Sequence, residues 1–168
     1  GCISLSDMDR RGIESLESIE QQCMDWSTRI NPQVITLFGG EPLLHPRIHD
    51  VIITVRKYWP ASKVRLITNG YLLKKHNPET WFGKFVKPYK DDITPFASDP
   101  QLAHSVCGAP NTPVLYKNRL YKCPPVANIL DIMPGYVDYE GVGHNQDLSE
   151  FVQAIGKPES VCAMCPEN

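Results

Sequence analysis

The stretch that decides the fold of this chain is Val34-Ile35-Thr36-Leu37-Phe38-Gly39-Gly40-Glu41-Pro42. Residues 34–38 are rich in β-branched and aromatic side chains without helical spacing, which predicts a short buried strand. Gly39-Gly40 then ends the strand, and two glycines let the backbone adopt positive φ and approach a ligand closely. Glu41 adds a carboxylate and Pro42 stiffens the exit. By itself this loop is also typical of an ordinary turn with a surface glutamate.

An amphipathic helix is predicted before this strand. Apolar residues recur at steps of three and four over residues 13–30, beginning with Ile13, while the glutamates lie outside that face. Cys23 and Trp26 fall on the apolar face, and we interpret both as core residues. Pro32 ends the helix.

A second helix and a second strand are predicted after the loop. Pro46 suits the first helical position, and apolar residues recur from there to Trp59, a further core residue. Residues 64–68 then form a strand that runs into Asn69-Gly70. The two strands lie about 30 residues apart with a helix between them, which is the spacing of a right-handed βαβ unit with parallel strands. The predicted fold class is therefore α/β.

The composition is that of a globular protein, with 42% hydrophobic and 21% charged residues among 168. A formal net charge of −2 gives no bulk electrostatic reason to bind nucleic acid. No apolar run approaches the ~18 residues of a membrane span. No signal peptide opens the sequence, which begins Gly1-Cys2 without a methionine. We therefore expect no membrane as partner and find no clear nucleic-acid signal, with a local basic patch left open as an alternative.

Six cysteines leave three interpretations open, namely disulfides, buried thiols and metal ligands. Near residue 97 proline and cysteine become frequent and helical periodicity becomes scarce, so we predict two domains, 1–97 and 98–168. The second domain contains the C-x2-C pair Cys162 and Cys165, a spacing that lets two thiolates converge on one metal ion or cluster. With Cys107 and Cys123 this favours a metal site, and both zinc and an iron–sulfur cluster fit four cysteines.

The segment ITLFGGEPLLHP at residues 35–46 resembles the second strand and GGEP loop of radical S-adenosylmethionine (SAM) enzymes. LITNG at residues 66–70 resembles the strand that follows in that family, and the two motifs have the family's order and separation. The resemblance implies a partial (βα)6 TIM-like barrel and reductive cleavage of SAM to a 5′-deoxyadenosyl radical that abstracts hydrogen from a substrate. It also implies that Glu41 receives the amino group of SAM. The SAM-binding residues that it implies are Gly39, Gly40, Glu41, Pro42, Thr68 and Asn69.

The same resemblance implies a [4Fe–4S] cluster held by three cysteines of a C-x3-C-x2-C loop, with the fourth iron open for SAM. Cys2 suits the last of these cysteines, so we expect the other two upstream of Gly1 and the sequence to be truncated. Too little chain separates Gly70 from Cys107 for four more βα units of ~30 residues each. We therefore expect an incomplete barrel, with a discontinuity within residues 74–93.

The C-terminal cysteines resemble those of the SPASM and twitch extensions of radical SAM enzymes, whose pattern is a cysteine, a spacer, Gly-x4-Cys and a distal C-x2-C. Asn118 stands at the family's glycine, and asparagine also populates left-handed turns. Residues 114–116 and 119–121 are predicted to form a β-hairpin around it. The resemblance implies an auxiliary [4Fe–4S] cluster, with zinc as the alternative, and its ligands are Cys107, Cys123, Cys162 and Cys165.

Tails of this type resemble those of peptide-modifying radical SAM enzymes, so a peptide or protein substrate is expected, with a reductant such as flavodoxin or ferredoxin. The alternatives are a nucleotide or other small-molecule substrate, and a non-catalytic metal-binding relative that binds a partner protein. A thiolate-rich chain without a signal is expected in the reducing cytoplasm. The histidines share no metal-ligand spacing, and only His104, three residues before Cys107, stands near a candidate ligand.

Overall fold

The computed structural model describes residues 12–68, residue 72 and residues 95–167. These residues divide into two units, here called the N-terminal unit (residues 12–68 and 72) and the C-terminal unit (residues 95–167). Each unit has helices and a small sheet of its own, so both are mixed α/β. The domain boundary predicted between residues 97 and 98 stays a prediction. None of the helices in these ranges has both the length and the apolar character needed to cross a bilayer.

A parallel strand pair forms the frame of the N-terminal unit. Strand β1 (Val34–Leu37) pairs in parallel with β2 (Lys63–Leu66), and helix α2 (Ile48–Tyr58) connects them. The parallel pairing predicted from the spacing is thus confirmed. The barrel that would extend this pair stays a prediction.

Strand β1 is less buried than its composition predicts. Val34 is 41% exposed and the other three residues are half-buried. The main helix packing in this unit is α1 (Leu16–Ser27) on α2 and α2 on β2, which leaves β1 at the edge. The prediction of a buried strand is therefore wrong for the described residues.

Both helices of this unit begin later than predicted. Ser15 Oγ accepts the N–H of Ser18 at 3.1 Å and caps α1, so Ile13 lies before the helix and is 57% exposed instead of on its apolar face. Helix α2 begins at Ile48 and not at Pro46, and the His45 ring accepts the N–H of Arg47 just before it at 3.0 Å.

The core of the N-terminal unit lies between α1 and α2. Trp59 Nε1 donates to the Ile30 carbonyl at 2.9 Å, which satisfies the polar atom of a buried indole. The core positions predicted for Cys23, Trp26 and Trp59 are confirmed. The buried hydrophobic residues here are Cys23, Trp26, Val51, Val55 and Trp59.

A β-hairpin opens the sheet of the C-terminal unit. Strands β3 (Val114–Tyr116) and β4 (Arg119–Tyr121) pair in antiparallel register, as predicted. Lys117 and Asn118 both have positive φ, 46° and 58°, the left-handed pair that a two-residue type I′ turn requires. Strand β5 (Val142–Gly143) adds to β4 on its other side and was not predicted.

Three helices of the C-terminal unit were not predicted, because helical periodicity is weak in this part of the sequence. They are α3 (Pro100–Ser105), α4 (Pro124–Ile132) and α5 (Ser149–Ala154). Proline occupies the first helical positions of α3 and α4, a start signal that local reading could have used. The core of this unit consists of Val126, Ile129, Val161 and Met164.

We expect Trp26→Ala to lower the free energy of unfolding of the N-terminal unit by about 3–5 kcal/mol, because it empties a fully buried indole site. Met24→Ala is the matched control, since Met24 lies on the same helix and is 48% exposed. Its expected effect stays within about 0.5 kcal/mol. Urea denaturation followed by circular dichroism measures both, and equal effects of the two substitutions would contradict the packing.

Candidate functional site

Four cysteines from separate segments line one cavity of the C-terminal unit. Cys107 follows α3, and Cys123 immediately precedes α4. Cys162 lies in the 3₁₀ helix Ser160–Met164, and Cys165 caps the end of that helix. The cavity measures ≈ 30 Å³, more than the ~10–15 Å³ that a single water needs. The set predicted for the auxiliary centre thus shares one enclosed space.

The sulfurs surround this space and do not meet at a point. Within residues 12–68 and 95–167, no three Cys, His, Asp or Glu side chains lie at the mutual distances of ligands to one metal ion. All the cysteines in these ranges are free thiols, so disulfides do not join them. Soft sulfur donors of this kind suit zinc and iron–sulfur clusters, so the donor set fits either group.

Burial favours the neutral form of two of these thiols, Cys123 and Cys165. It raises the pKa of each to about 12, and the neighbouring thiols raise it further. For Cys123 the backbone N–H of Val126, in the first turn of α4, acts in the opposite direction. Both thiols are therefore protonated at neutral pH unless positive charge enters the cavity. A metal ion or cluster supplies that charge and displaces the protons.

Backbone amides already point at two of the sulfurs. The Ala109 N–H donates to Cys107 Sγ at 3.3 Å, and the Glu159 N–H donates to Cys162 Sγ at 3.5 Å. Hydrogen bonds of this kind stabilise thiolate charge and tune bound metal centres. Both hydrogen bonds lie within short local turns, two and three residues long in sequence.

A buried ion pair connects two of the segments that carry cysteines. Lys122 is 7% exposed, and its Nζ lies 2.6 Å from Glu159 Oε1 and 2.6 Å from the Lys157 carbonyl. Lys122 immediately precedes Cys123, and Glu159 stands three residues before Cys162. The pair therefore holds these two cysteines in relation to each other. Sequence reasoning missed it, because a lysine beside a cysteine carries no signal of its distant partner.

In the N-terminal unit, Glu41 and Thr68 meet just beyond the carboxyl ends of β1 and β2. Thr68 Oγ1 donates to Glu41 Oε1 at 2.6 Å, and the Leu43 N–H donates to the same oxygen at 2.9 Å. Two donors on one oxygen fix the orientation of the carboxylate. Parallel pairing explains the meeting, since it brings both strand ends to the same edge of the sheet.

The other residues of the predicted SAM loop have simpler surroundings. Gly39 and Gly40 are exposed, and neither uses the positive φ that glycine allows. A Cβ on Gly39 would meet no atom within 4 Å, so the fold itself does not require glycine there. Pro42 is the first residue of the 3₁₀ helix Pro42–Leu44. Asn69 and Cys2 lie outside the described residues.

We expect Lys122→Met to lower the free energy of unfolding of the C-terminal unit by about 1–3 kcal/mol. The substitution leaves the half-buried Glu159 carboxylate without its cation, and such groups are costly when unpaired. Lys157→Met is the matched control, because the Lys157 side chain is exposed and its carbonyl survives the change. Thermal unfolding of the metal-free protein measures both, and an equal loss in the two variants would contradict the role given to the ion pair.

Comparison with known proteins adds no family to these observations. No protein-family model matches the chain, and no curated protein matches it significantly. The functional conclusion therefore depends on the motifs and on the geometry of the two sites.

Proposed function

We propose that this chain is part of a radical SAM enzyme with an auxiliary [4Fe–4S] cluster in its C-terminal unit. The observation that carries the proposal is the convergence of four partly buried cysteines on one cavity, downstream of a GGEP loop and a TNG motif in the family's order. The proposed cluster ligands are Cys107, Cys123, Cys162 and Cys165.

The motifs upstream of the four cysteines favour a cluster over zinc. Both groups suit four cysteine ligands: zinc binds all four sulfurs itself, and a [4Fe–4S] core takes one thiolate on each iron. The GGEP loop and the TNG motif, in the order of radical SAM enzymes, favour the second arrangement.

The Glu41 carboxylate supports the SAM assignment for the loop. Thr68 and the Leu43 amide hold one of its oxygens at the edge of the sheet where α/β folds bind ligands. A carboxylate fixed in this way is suited to accept charge-assisted hydrogen bonds from an ammonium group. In the proposed enzyme that group is the amino group of the methionine part of SAM, and Thr68 acts by positioning Glu41.

The proposed reaction begins with one electron. A [4Fe–4S] cluster held by Cys2 and the two cysteines expected upstream would supply the electron that cleaves SAM to methionine and a 5′-deoxyadenosyl radical, which would take a hydrogen atom from the substrate. The residues of the chain would bind and orient: Glu41 would hold the amino group of SAM, and the resemblance implies that Asn69 also contributes to SAM binding. The four C-terminal cysteines leave no iron open at the auxiliary site, so this site serves electron transfer or substrate binding.

The substrate that we propose is a peptide or protein, since auxiliary-cluster tails of this kind resemble those of peptide-modifying enzymes. A flavodoxin or ferredoxin is the proposed source of the electron. Iron–sulfur centres and free thiols also favour the reducing cytoplasm as the location.

A second candidate is a non-catalytic relative in which the four cysteines bind a structural zinc ion. The observation that favours it is the closed set of four thiolates, which is the usual composition of structural zinc sites. In that case the surface of the chain binds a partner protein, and the GGEP loop is an ordinary turn. Metal analysis separates the two candidates.

Anaerobic reconstitution with iron and sulfide is expected to give about four irons at the C-terminal site, together with the visible absorbance of a [4Fe–4S] cluster. Replacing Cys107, Cys123, Cys162 or Cys165 by alanine removes one ligand, and we expect each variant to lose most of this iron. Cys23→Ala is the matched control, because Cys23 is buried in the other unit. Protein that takes up zinc and no iron would overturn the cluster assignment.

Glu41→Gln is expected to weaken SAM binding about 10- to 100-fold, the equivalent of one charge-assisted hydrogen bond of ~1.5–3 kcal/mol. Glu150→Gln is the control, since it makes the same change of charge at an exposed position of the C-terminal unit. Equilibrium dialysis with labelled SAM measures both variants, in protein that includes the upstream cysteines implied by the resemblance. Unchanged affinity and unchanged 5′-deoxyadenosine formation in Glu41→Gln would contradict the role of this residue.

A further inference from the structure

A buried polar atom beside the cysteine cavity has no partner. His104 lies in the last turn of α3, and its Nε2 is buried without a hydrogen bond to any residue that the structure describes. A buried donor or acceptor left unsatisfied costs about 1–3 kcal/mol. Such an atom therefore points to a group that completes the site.

The fold holds His104 at the cavity firmly. Asp99 caps α3 by accepting the N–H groups of Gln101 and Leu102 at 2.8 and 3.0 Å. Ala103 is 2% exposed, and α3 packs against the 3₁₀ helix Ser160–Met164, which carries Cys162.

His104 lines the same cavity as the four cysteines. The backbone of His104 is also hydrogen-bonded to the backbone of Cys107, since the His104 carbonyl accepts the Cys107 N–H at 3.1 Å. The imidazole and the nearest cysteine are therefore positioned by one short turn of the chain.

The chemistry of the ligand set determines what the imidazole does. Four thiolates supply one ligand to each iron of a [4Fe–4S] cluster, so no iron is left for a nitrogen. Neutral imidazole carries one N–H, and sulfur is the acceptor that such a cavity offers. A hydrogen bond to sulfur stabilises the reduced, more negative cluster more than the oxidised one, and so raises the reduction potential.

We propose that His104 Nε2–H donates a hydrogen bond to a sulfur of the centre held by the four cysteines. His104 is thus a positioning residue that tunes the auxiliary cluster, and this inference rests on the proposed function. It explains both the burial of the imidazole and the absence of a protein partner for Nε2 within the described chain.

The test compares His104→Leu with His104→Gln in the full chain. Each protein is reconstituted anaerobically and also carries Cys2→Ala, so that the four C-terminal cysteines are the cluster ligands. Leucine removes the donor, whereas the glutamine amide reaches about as far as Nε2 and keeps it. We expect His104→Leu to bind the same iron but to shift the equilibrium between the oxidised and reduced cluster about tenfold toward the oxidised form, ~59 mV lower for one electron. His104→Gln should restore most of the shift, and His49→Leu, at an exposed histidine, should cause none.

Redox titration followed by electron paramagnetic resonance measures the potentials. Equal potentials in wild type and His104→Leu would overturn the inference and leave the cluster assignment intact. Loss of iron in His104→Leu, with strong nitrogen coupling in the wild-type spectrum, would overturn it in favour of direct ligation. If the leucine variant fails to fold, pulsed paramagnetic resonance spectra of the wild type test the proposal instead. A hydrogen bond from His104 gives weak nitrogen coupling and an exchangeable proton. The absence of both signals would refute the proposal. Failure of the wild type to bind iron would overturn the proposed function as well.

Discussion

Four cysteines line one small cavity of the C-terminal unit, and burial disfavours thiolate charge on two of them, Cys123 and Cys165. A pKa near 12 for Cys123 and Cys165 means that the folded chain disfavours thiolate charge in the absence of a cation. Positive charge from a metal centre reverses this preference, so binding couples directly to folding. The cavity therefore suits the cationic metal centre that we propose for it.

The cysteines come from three separate segments, and each segment has its own anchor. The β-hairpin ends at Lys122, whose buried ammonium contacts Glu159 ahead of the 3₁₀ helix. Helix α3 is fixed by its Asp99 cap and by the burial of Ala103. A site assembled from distant segments needs such anchors, because ligand geometry tolerates little displacement.

In the N-terminal unit, strand pairing positions the candidate site. Its loop site depends on parallel pairing, which brings the ends of β1 and β2 to one edge and lets Thr68 orient Glu41. Trp26 and Trp59 are buried in the helical core of this unit, and α2 packs on β2.

The sequence by itself determined the features that short-range chemistry controls. Asn118 predicted the hairpin because a left-handed turn is a local property, and the spacing of two β-branched runs predicted the parallel pair. Only the tertiary structure decided that Lys122 pairs with Glu159, 37 residues away, and that the His104 Nε2 is buried beside the cysteines. These depend on how α3, the hairpin and the 3₁₀ helix pack together, and no local pattern encodes the partner of a buried charge or of a buried imidazole.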